Sequence, residues 1–221
     1  MEKQYKAVFF DLGGTLRIAF LEEAYMRHAR RKMAEIAGTD MPYEEFYQMI
    51  EERYEPYRKW ALGEYKESGD EELWCKWLLP DYDPVRTRQV CHELSFQYRQ
   101  TKGRRTVVEG GADTVKELCR RGYTLGIISD LVGRREVDEW LDQDGLRPYF
   151  QTVQQSSVTY IRKPGPAIYY YAMEEVGAEP ENCCYVGDNL NRDIIGAKAV
   201  DFGMTVTVQY QNCLLYTSPS P

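Results

Sequence analysis

The chain has 221 residues, 43% of them hydrophobic and 29% charged, which excludes a disordered or collagen-like polymer and fits one large domain or a domain carrying an insertion. Its 28 Lys+Arg against 35 Asp+Glu leave a net charge of −7, the wrong sign for a binder of nucleic-acid backbone. No apolar run approaches the ~20 residues that a membrane span needs. The N-terminus leads straight into a short apolar run without the longer apolar stretch and small-residue cleavage site of a signal peptide, so the expectation is a soluble cytoplasmic protein.

In chain order, Lys6–Phe10 is a short apolar run rich in strand formers, followed at once by Asp11-Leu12-Gly13-Gly14-Thr15. That pattern predicts a buried strand ending in a tight glycine turn. From about 20 to 102 the character changes. Phe46, Met49, Ile50, Tyr54, Tyr57 and Ala61 recur at helical spacing, as do Leu73, Trp74, Trp77 and Leu78, and then Val90, Cys91, Leu94 and Tyr98. About four helices in an antiparallel bundle are expected, with these aromatics as bundle core. Strand–helix alternation follows, with helices near 111–121, 134–143, 166–176 and 192–199. The strands fall near 123–128, 150–154, 183–186 and 204–208. Such alternation predicts a Rossmann-like parallel sheet covered on both faces, an α/β core into which the all-α block is inserted. The expected division is a core of 1–16 and 106–212 and a helical insertion of 17–105.

Six cysteines, at 75, 91, 119, 183, 184 and 213, show no CxxC spacing, and only His28 and His92 could join them, which argues against a zinc site. Cys183 and Cys184 read as small apolar residues of a buried strand. Residues 213–221 resemble the translation of a transposon adapter used in preparing sequencing libraries and are expected to be an artefact, leaving a native chain that is cut short near 212.

Ligands of an open α/β sheet bind at the carboxyl ends of its strands. Asp11, Ser129, Lys163 and the cluster Asp188 to Asp193 fall at strand ends or in the connections between elements. Grouped carboxylates repel one another and need a cation, and all-oxygen ligands suit Mg²⁺, which typically also takes waters and a substrate phosphate. A carboxylate there can itself accept a phosphoryl group. Lys163 would supply positive charge, while Ser129 and the glycine-turn N–H groups would donate hydrogen bonds.

These residues carry a family resemblance. Phe10-Asp11-Leu12-Gly13-Gly14-Thr15-Leu16 is similar to the first motif, DxDGT(L/V), of the haloacid dehalogenase-like superfamily of aspartyl-phosphate hydrolases. Ile127-Ile128-Ser129-Asp130 resembles its second motif, Arg162-Lys163-Pro164-Gly165-Pro166 its third, and Val186-Gly187-Asp188-Asn189 through Asp193 its fourth. The resemblance covers residues 6–16 and about 105–208, and the helical block matches the cap that many members insert after the first motif. It implies an Mg²⁺-dependent phosphatase acting on a small phosphorylated metabolite, with Asp11 as nucleophile. It further implies a catalytic set Asp11, Ser129 and Lys163, and a substrate-binding set Gly14, Thr15, Ser129, Asp130 and Lys163. The implied metal set is Asp11, the Gly13 carbonyl, Asp188 and Asp193, the last direct or through an intermediary.

One position departs from the pattern. Phosphatases of the family usually carry a second Asp where Gly13 stands, to protonate the leaving alcohol and activate water. Three readings are compatible with the glycine: a slow phosphatase, a proton donor from the helical block (Glu22, Glu23 and His28 lie soonest after the first motif), or a silent phosphate-binding protein. Phosphomutase chemistry is disfavoured because it needs that acid, and metal-free dehalogenation because the fourth motif is rich in acids. Asp130 reads equally as a substrate contact or as a helix-capping loop carboxylate.

Overall fold

The computed structural model describes residues 5–210; the adapter-like tail and Cys213 lie outside them. Five short strands form one parallel sheet: β1 (Ala7–Phe10), β4 (Thr124–Ser129), β5 (Thr152–Gln155), β6 (Cys183–Gly187) and β7 (Met204–Thr207). Their spatial order is β5-β4-β1-β6-β7, so the chain starts in the middle and builds outward on both sides. This is the expected Rossmann-like α/β arrangement.

Side chains alternate faces along each strand. Val8 and Phe10 of β1, Leu125 and Ile127 of β4, and Cys184 of β6 pack under α5 (Gly111–Arg120) and α6 (Arg135–Gln143) through Val115, Val137, Trp140 and Leu141. Ala7, Phe9, Ile128, Cys183 and Tyr185 face the other way, onto Ile168, Tyr169 and Met173 of α8 (Ala167–Val176) and Ala197 of α9 (Gly196–Ala199). Cys183 and Cys184 are buried free thiols on opposite faces, as expected of small apolar strand residues. The single turn α7 (Ser156–Thr159) follows β5.

Between β1 and β4 the chain forms α1 (Glu23–Ala37), α2 (Tyr43–Glu64), α3 (Asp70–Glu72, continuing as one π-helical stretch Leu73–Leu78) and α4 (Pro84–Gln100). They build a core of their own. Met33, Phe46, Ile50, Tyr57, Ala61, Leu73, Trp74, Leu78, Cys91, Leu94 and Tyr98 are buried in it, with Met49, Tyr54, Trp77 and Val90 at its margin. The helical spacing in the sequence therefore picked out the inward faces.

Two elements differ from expectation. Arg17–Phe20 (β2) and Arg104–Val107 (β3) pair antiparallel and form the root of the helical block. The boundaries expected at 16/17 and 105/106 fall at or within this pair. Four-residue strands rich in arginine give almost no period-2 signal, and Arg17 lies buried over Trp140, paired with Asp144. The helix expected over 192–199 is a π-helical stretch, Leu190–Ile195, running into α9. Its wider turn places Asp193 at the site described below.

Leu94 is fully buried in the helical block. Leu94→Ala is expected to cost about 2–5 kcal/mol of unfolding free energy, measured by urea denaturation, because the cavity adds to the lost transfer term.

Candidate active site

β1 lies between β4 and β6, with Phe10 opposite Ile127 on one side and Val186 on the other. The next residue, Asp11, thus emerges beside Ser129 and beside Gly187-Asp188, at the point where the strand order switches direction. The Asp11 N–H donates to the Val186 carbonyl at 2.9 Å. The chain then turns back sharply: Arg17 N donates to Leu12 O at 2.8 Å and Gly14 N to Arg17 O at 2.8 Å.

Two glycines make the close approaches possible. Gly14 has φ +78°, and a Cβ on it would lie 2.3 Å from Asp188 Oδ2. A Cβ on Gly187 would lie 2.5 Å from the Asp193 carboxyl. Gly13 is the opposite case: it is exposed, and a Cβ there meets nothing within 4 Å.

The centre of the cluster is Lys163, 2% exposed. Its ammonium donates to Asp11 Oδ1 at 2.9 Å, to Asp193 Oδ1 at 2.6 Å and to the Tyr185 hydroxyl at 2.9 Å. Tyr185 donates in turn to the Ile128 carbonyl at 2.9 Å. Burial works to lower the Lys163 pKa, but Asp11, Asp193 and Asp130 outweigh it and hold the ammonium above its ordinary value. Ser129 Oγ donates to the same Asp11 Oδ1 at 2.9 Å. Both of these donors fall on Oδ1, and Oδ2 receives none among the described residues.

Asp193 has both oxygens engaged, since Oδ2 accepts from the Asn189 N–H at 2.9 Å. Asp188 is exposed on one side, and burial together with Asp11 and Asp193 pushes its carboxyl up to about 6. One oxygen each from Asp11, Asp188 and Asp193 lies within 4.8 Å of the others. A hard divalent cation fits this donor set, because it is all oxygen and the repulsion that raises Asp188 is what a cation removes. Asp11 and Asp188 have oxygens to offer it, whereas Asp193 is occupied in holding Lys163.

The remaining expected residues are close by but turned to different tasks. Thr15 is buried and its hydroxyl has no partner among the described residues. Asp130 is buried against the loop that carries Lys163, where its Oδ1 accepts the Lys163 N–H at 2.9 Å. Glu22 and Glu23 pair instead with Arg104 and with Arg27 and Arg30, and His28 is exposed, so none of the three candidate proton donors is held at the carboxylate cluster. Three residues were given no role from the sequence, although Arg162 stands in the third motif and Tyr185 in an expected strand. Tyr185 was hidden in an apolar strand, its hydroxyl the one hint of a polar contact. Arg162 and Glu67 form a buried pair 95 residues apart, which no local pattern announces.

Comparison with known proteins agrees with this architecture. The family model described as haloacid dehalogenase-like hydrolase matches residues 5–201. The chain is 30% identical to the glyceraldehyde 3-phosphate phosphatase of Methanopyrus kandleri over 87% of this chain and 79% of that protein. A crystal structure of a HAD phosphatase from Thermococcus onnurineus superposes with a TM-score of 0.59 at 25% identity, covering 94% of this chain and 88% of that one. A 2-haloacid dehalogenase from Pseudomonas syringae pv. Tomato shares the fold with a TM-score of 0.63 at 21% identity, over 90% of this chain and 85% of that one.

The Asp188 shift has a stability consequence. Between its ordinary value of 3.8 and about 6 the folded chain holds more protons than the unfolded one, so the metal-free protein loses stability as pH rises through that window. In EDTA, Tm is expected to fall from about pH 4.5 to about pH 7, and Mg²⁺ to raise Tm more at the higher pH, where the cation displaces no proton. Scanning calorimetry of wild type and Asp188→Asn checks this; because Asp193, Glu67 and Asp144 are raised by burial in the same direction, the variant should show a shallower fall with pH and a smaller Mg²⁺ effect rather than none.

Proposed function

The chain belongs to the haloacid dehalogenase-like hydrolase family, and on that premise we propose that it is an Mg²⁺-dependent phosphatase of a small phosphorylated metabolite, working through an aspartyl-phosphate on Asp11. The observation that carries this reading is the buried Asp11 carboxylate, aimed by Ser129 and Lys163 through one oxygen while the other receives no donor among the described residues. The glyceraldehyde 3-phosphate phosphatases among its relatives support a small phosphomonoester as substrate.

In this mechanism an Asp11 oxygen attacks phosphorus, the new O–P bond forms, the bond from phosphorus to the substrate's leaving oxygen breaks, and the departing alkoxide takes its proton from solvent. Water then attacks the phosphorus of the acyl phosphate, releasing orthophosphate and restoring the carboxylate. Phosphoryl transfer asks the protein mainly for position and charge. Lys163 and Ser129 supply both, since each can pass its hydrogen bond from Asp11 to an incoming phosphate oxygen. The Gly14 turn and the Thr15 hydroxyl, which has no partner among the described residues, offer further donors beside the same carboxylate. Mg²⁺, held by Asp11, Asp188 and the Gly13 carbonyl with Asp193 behind them, would offset the charge that accumulates between two anions. Asp130 shapes the Lys163 loop.

The helical block, 17–105 by the sequence, serves in this reading as a cap on a core formed by 1–16 and 106–212, rooted in the β2–β3 pair. Such a lid excludes water and selects substrate. A silent phosphate-binding protein is the second reading, favoured by one observation: no side chain at position 13, and none of the expected block residues, stands at the cluster to move a proton.

Asp11→Asn is expected to lower p-nitrophenyl phosphate hydrolysis at least about 10³-fold. Gly13→Asp has room for its side chain, and is expected to raise turnover of alkyl phosphates by ~10²-fold or more while changing p-nitrophenyl phosphate little, because only poor leaving groups need the proton. Steady-state assays on both substrate types check the pair.

A further inference from the structure

The helical block meets the loop carrying Lys163 at one short antiparallel contact. Glu67 N donates to Tyr160 O at 3.1 Å, Arg162 N donates to Tyr65 O at 2.9 Å, and Lys66 and Ile161 form a bridge between them. Tyr65 and Tyr160, which open the two segments, hold left-handed backbones at φ 51° and 59°. Bulky residues adopt that region only where surrounding contacts impose it.

A chain of buried charges runs through this contact. Glu67 belongs to the block yet is buried against the core, where its carboxylate accepts from Ser156 Oγ at 2.9 Å, from the Arg162 guanidinium and, within the block, from the Tyr57 hydroxyl. Arg162 also faces Asp130 at 3.7 Å. Asp130 accepts the Lys163 N–H at 2.9 Å. A buried carboxylate is costly without a partner, and one guanidinium here serves two of them. Withdrawing the block would strip Arg162 of Glu67 and leave it to Asp130 alone, beside the residue whose ammonium rests on Asp11.

A second clasp joins block to core without touching the site. Glu136 of α6 is buried, with Arg99 at 2.7 Å and Arg105 at 3.6 Å, and neither arginine contacts the Lys163 loop in these pairings. It is a natural internal control.

We propose that Glu67 is a positioning residue: reaching from the helical block, it fixes Arg162, through Arg162 the Asp130 carboxylate, and through Asp130 the main chain of Lys163, so that the Lys163 ammonium is set on Asp11 only while the block is docked. The inference rests on the reading of Lys163 as the phosphate-side cation. It makes block docking and assembly of the catalytic cluster a single event, with the coupling carried by charge rather than by apolar packing.

The test compares Glu67→Gln with Glu136→Gln in the full chain. Glutamine keeps the volume at 67, but its single acceptor oxygen can serve either Tyr57 or Ser156, which here donate to different carboxylate oxygens, and it withdraws the charge from Arg162. Arg162→Lys is a parallel variant that keeps a cation and loses the planar fork. Two readouts are taken: kcat and KM on p-nitrophenyl phosphate, and hydrogen exchange of the amides in segment 160–165. Glu67→Gln and Arg162→Lys should each lower kcat ~10–100-fold, the range for residues that orient others, with KM within about threefold. Exchange in 160–165 should quicken by about tenfold or more. Glu136→Gln should leave kcat and that exchange at wild-type values. Equal losses in the 67 and 136 variants would overturn the proposal, since the effect would then be general loosening of the block. Unchanged kcat and exchange in Glu67→Gln would overturn it too. If the wild type shows no turnover at all, the phosphatase reading falls on its own, and exchange alone decides the coupling: quickening at 160–165 in Glu67→Gln but not in Glu136→Gln supports it, and no quickening refutes it.

Discussion

The buried ammonium of Lys163 is the constraint around which this fold is organised. An isolated charge in an apolar interior costs far more than a domain's whole stability margin, so it persists only with partners of excellent geometry. Lys163 has three, and each comes from a different part of the chain: Asp11 from the end of β1, Tyr185 from the middle of β6, and Asp193 from the π-helical stretch after it. The sheet order, with β1 between β4 and β6, is what lets these segments reach one point. The interaction is also reciprocal. Three carboxylates at such close quarters would repel one another, and the same ammonium that needs them makes their proximity tolerable.

The chemistry follows from this balance. Lys163 and Ser129 fix one oxygen of Asp11, which makes a common surface residue into an oriented, partly desolvated carboxylate, the nucleophile of the proposed reaction. Gly14 and Gly187 let Asp188 and Asp193 come close enough to take part, since a methyl group at either position would collide with a carboxylate. Gly13 serves no such purpose: nothing crowds it, and its backbone lies outside the left-handed region. Space therefore does not require a glycine at 13, and in the proposed mechanism the missing acid would bear on which leaving groups the site can expel.

Most of the architecture was legible because it is written in periodicities. The apolar run through Ala7–Phe10 and the helical spacing through Phe46–Ala61 are local signals, and they reported a buried strand and a buried helix face correctly. The glycine turn after Asp11 and the Gly-Asp after Val186 were legible for the same reason. What escaped was set by tertiary contact. β2 and β3 are four-residue strands with arginines, held by pairing to each other across the whole helical block. The π-helical stretch before α9 closes its hydrogen bonds one residue further along than an α-helix does, a difference too small for the spacing of apolar residues to announce. Tyr185, Arg162 and Glu67 matter through partners far away in sequence, and no window of the chain contains both halves of those pairs.

In the proposed reaction Asp11, held by Lys163 and Ser129, becomes phosphorylated during turnover. Rapid acid quenching of the enzyme with p-nitrophenyl phosphate and Mg²⁺, followed by peptide mass spectrometry, tests it most directly. A phosphate-mass increment on the peptide containing Asp11, acid-stable and lost in hydroxylamine, is the predicted result. Steady turnover with no increment on that peptide, together with turnover that survives Asp11→Asn, would rule out Asp11 as the phosphorylated residue.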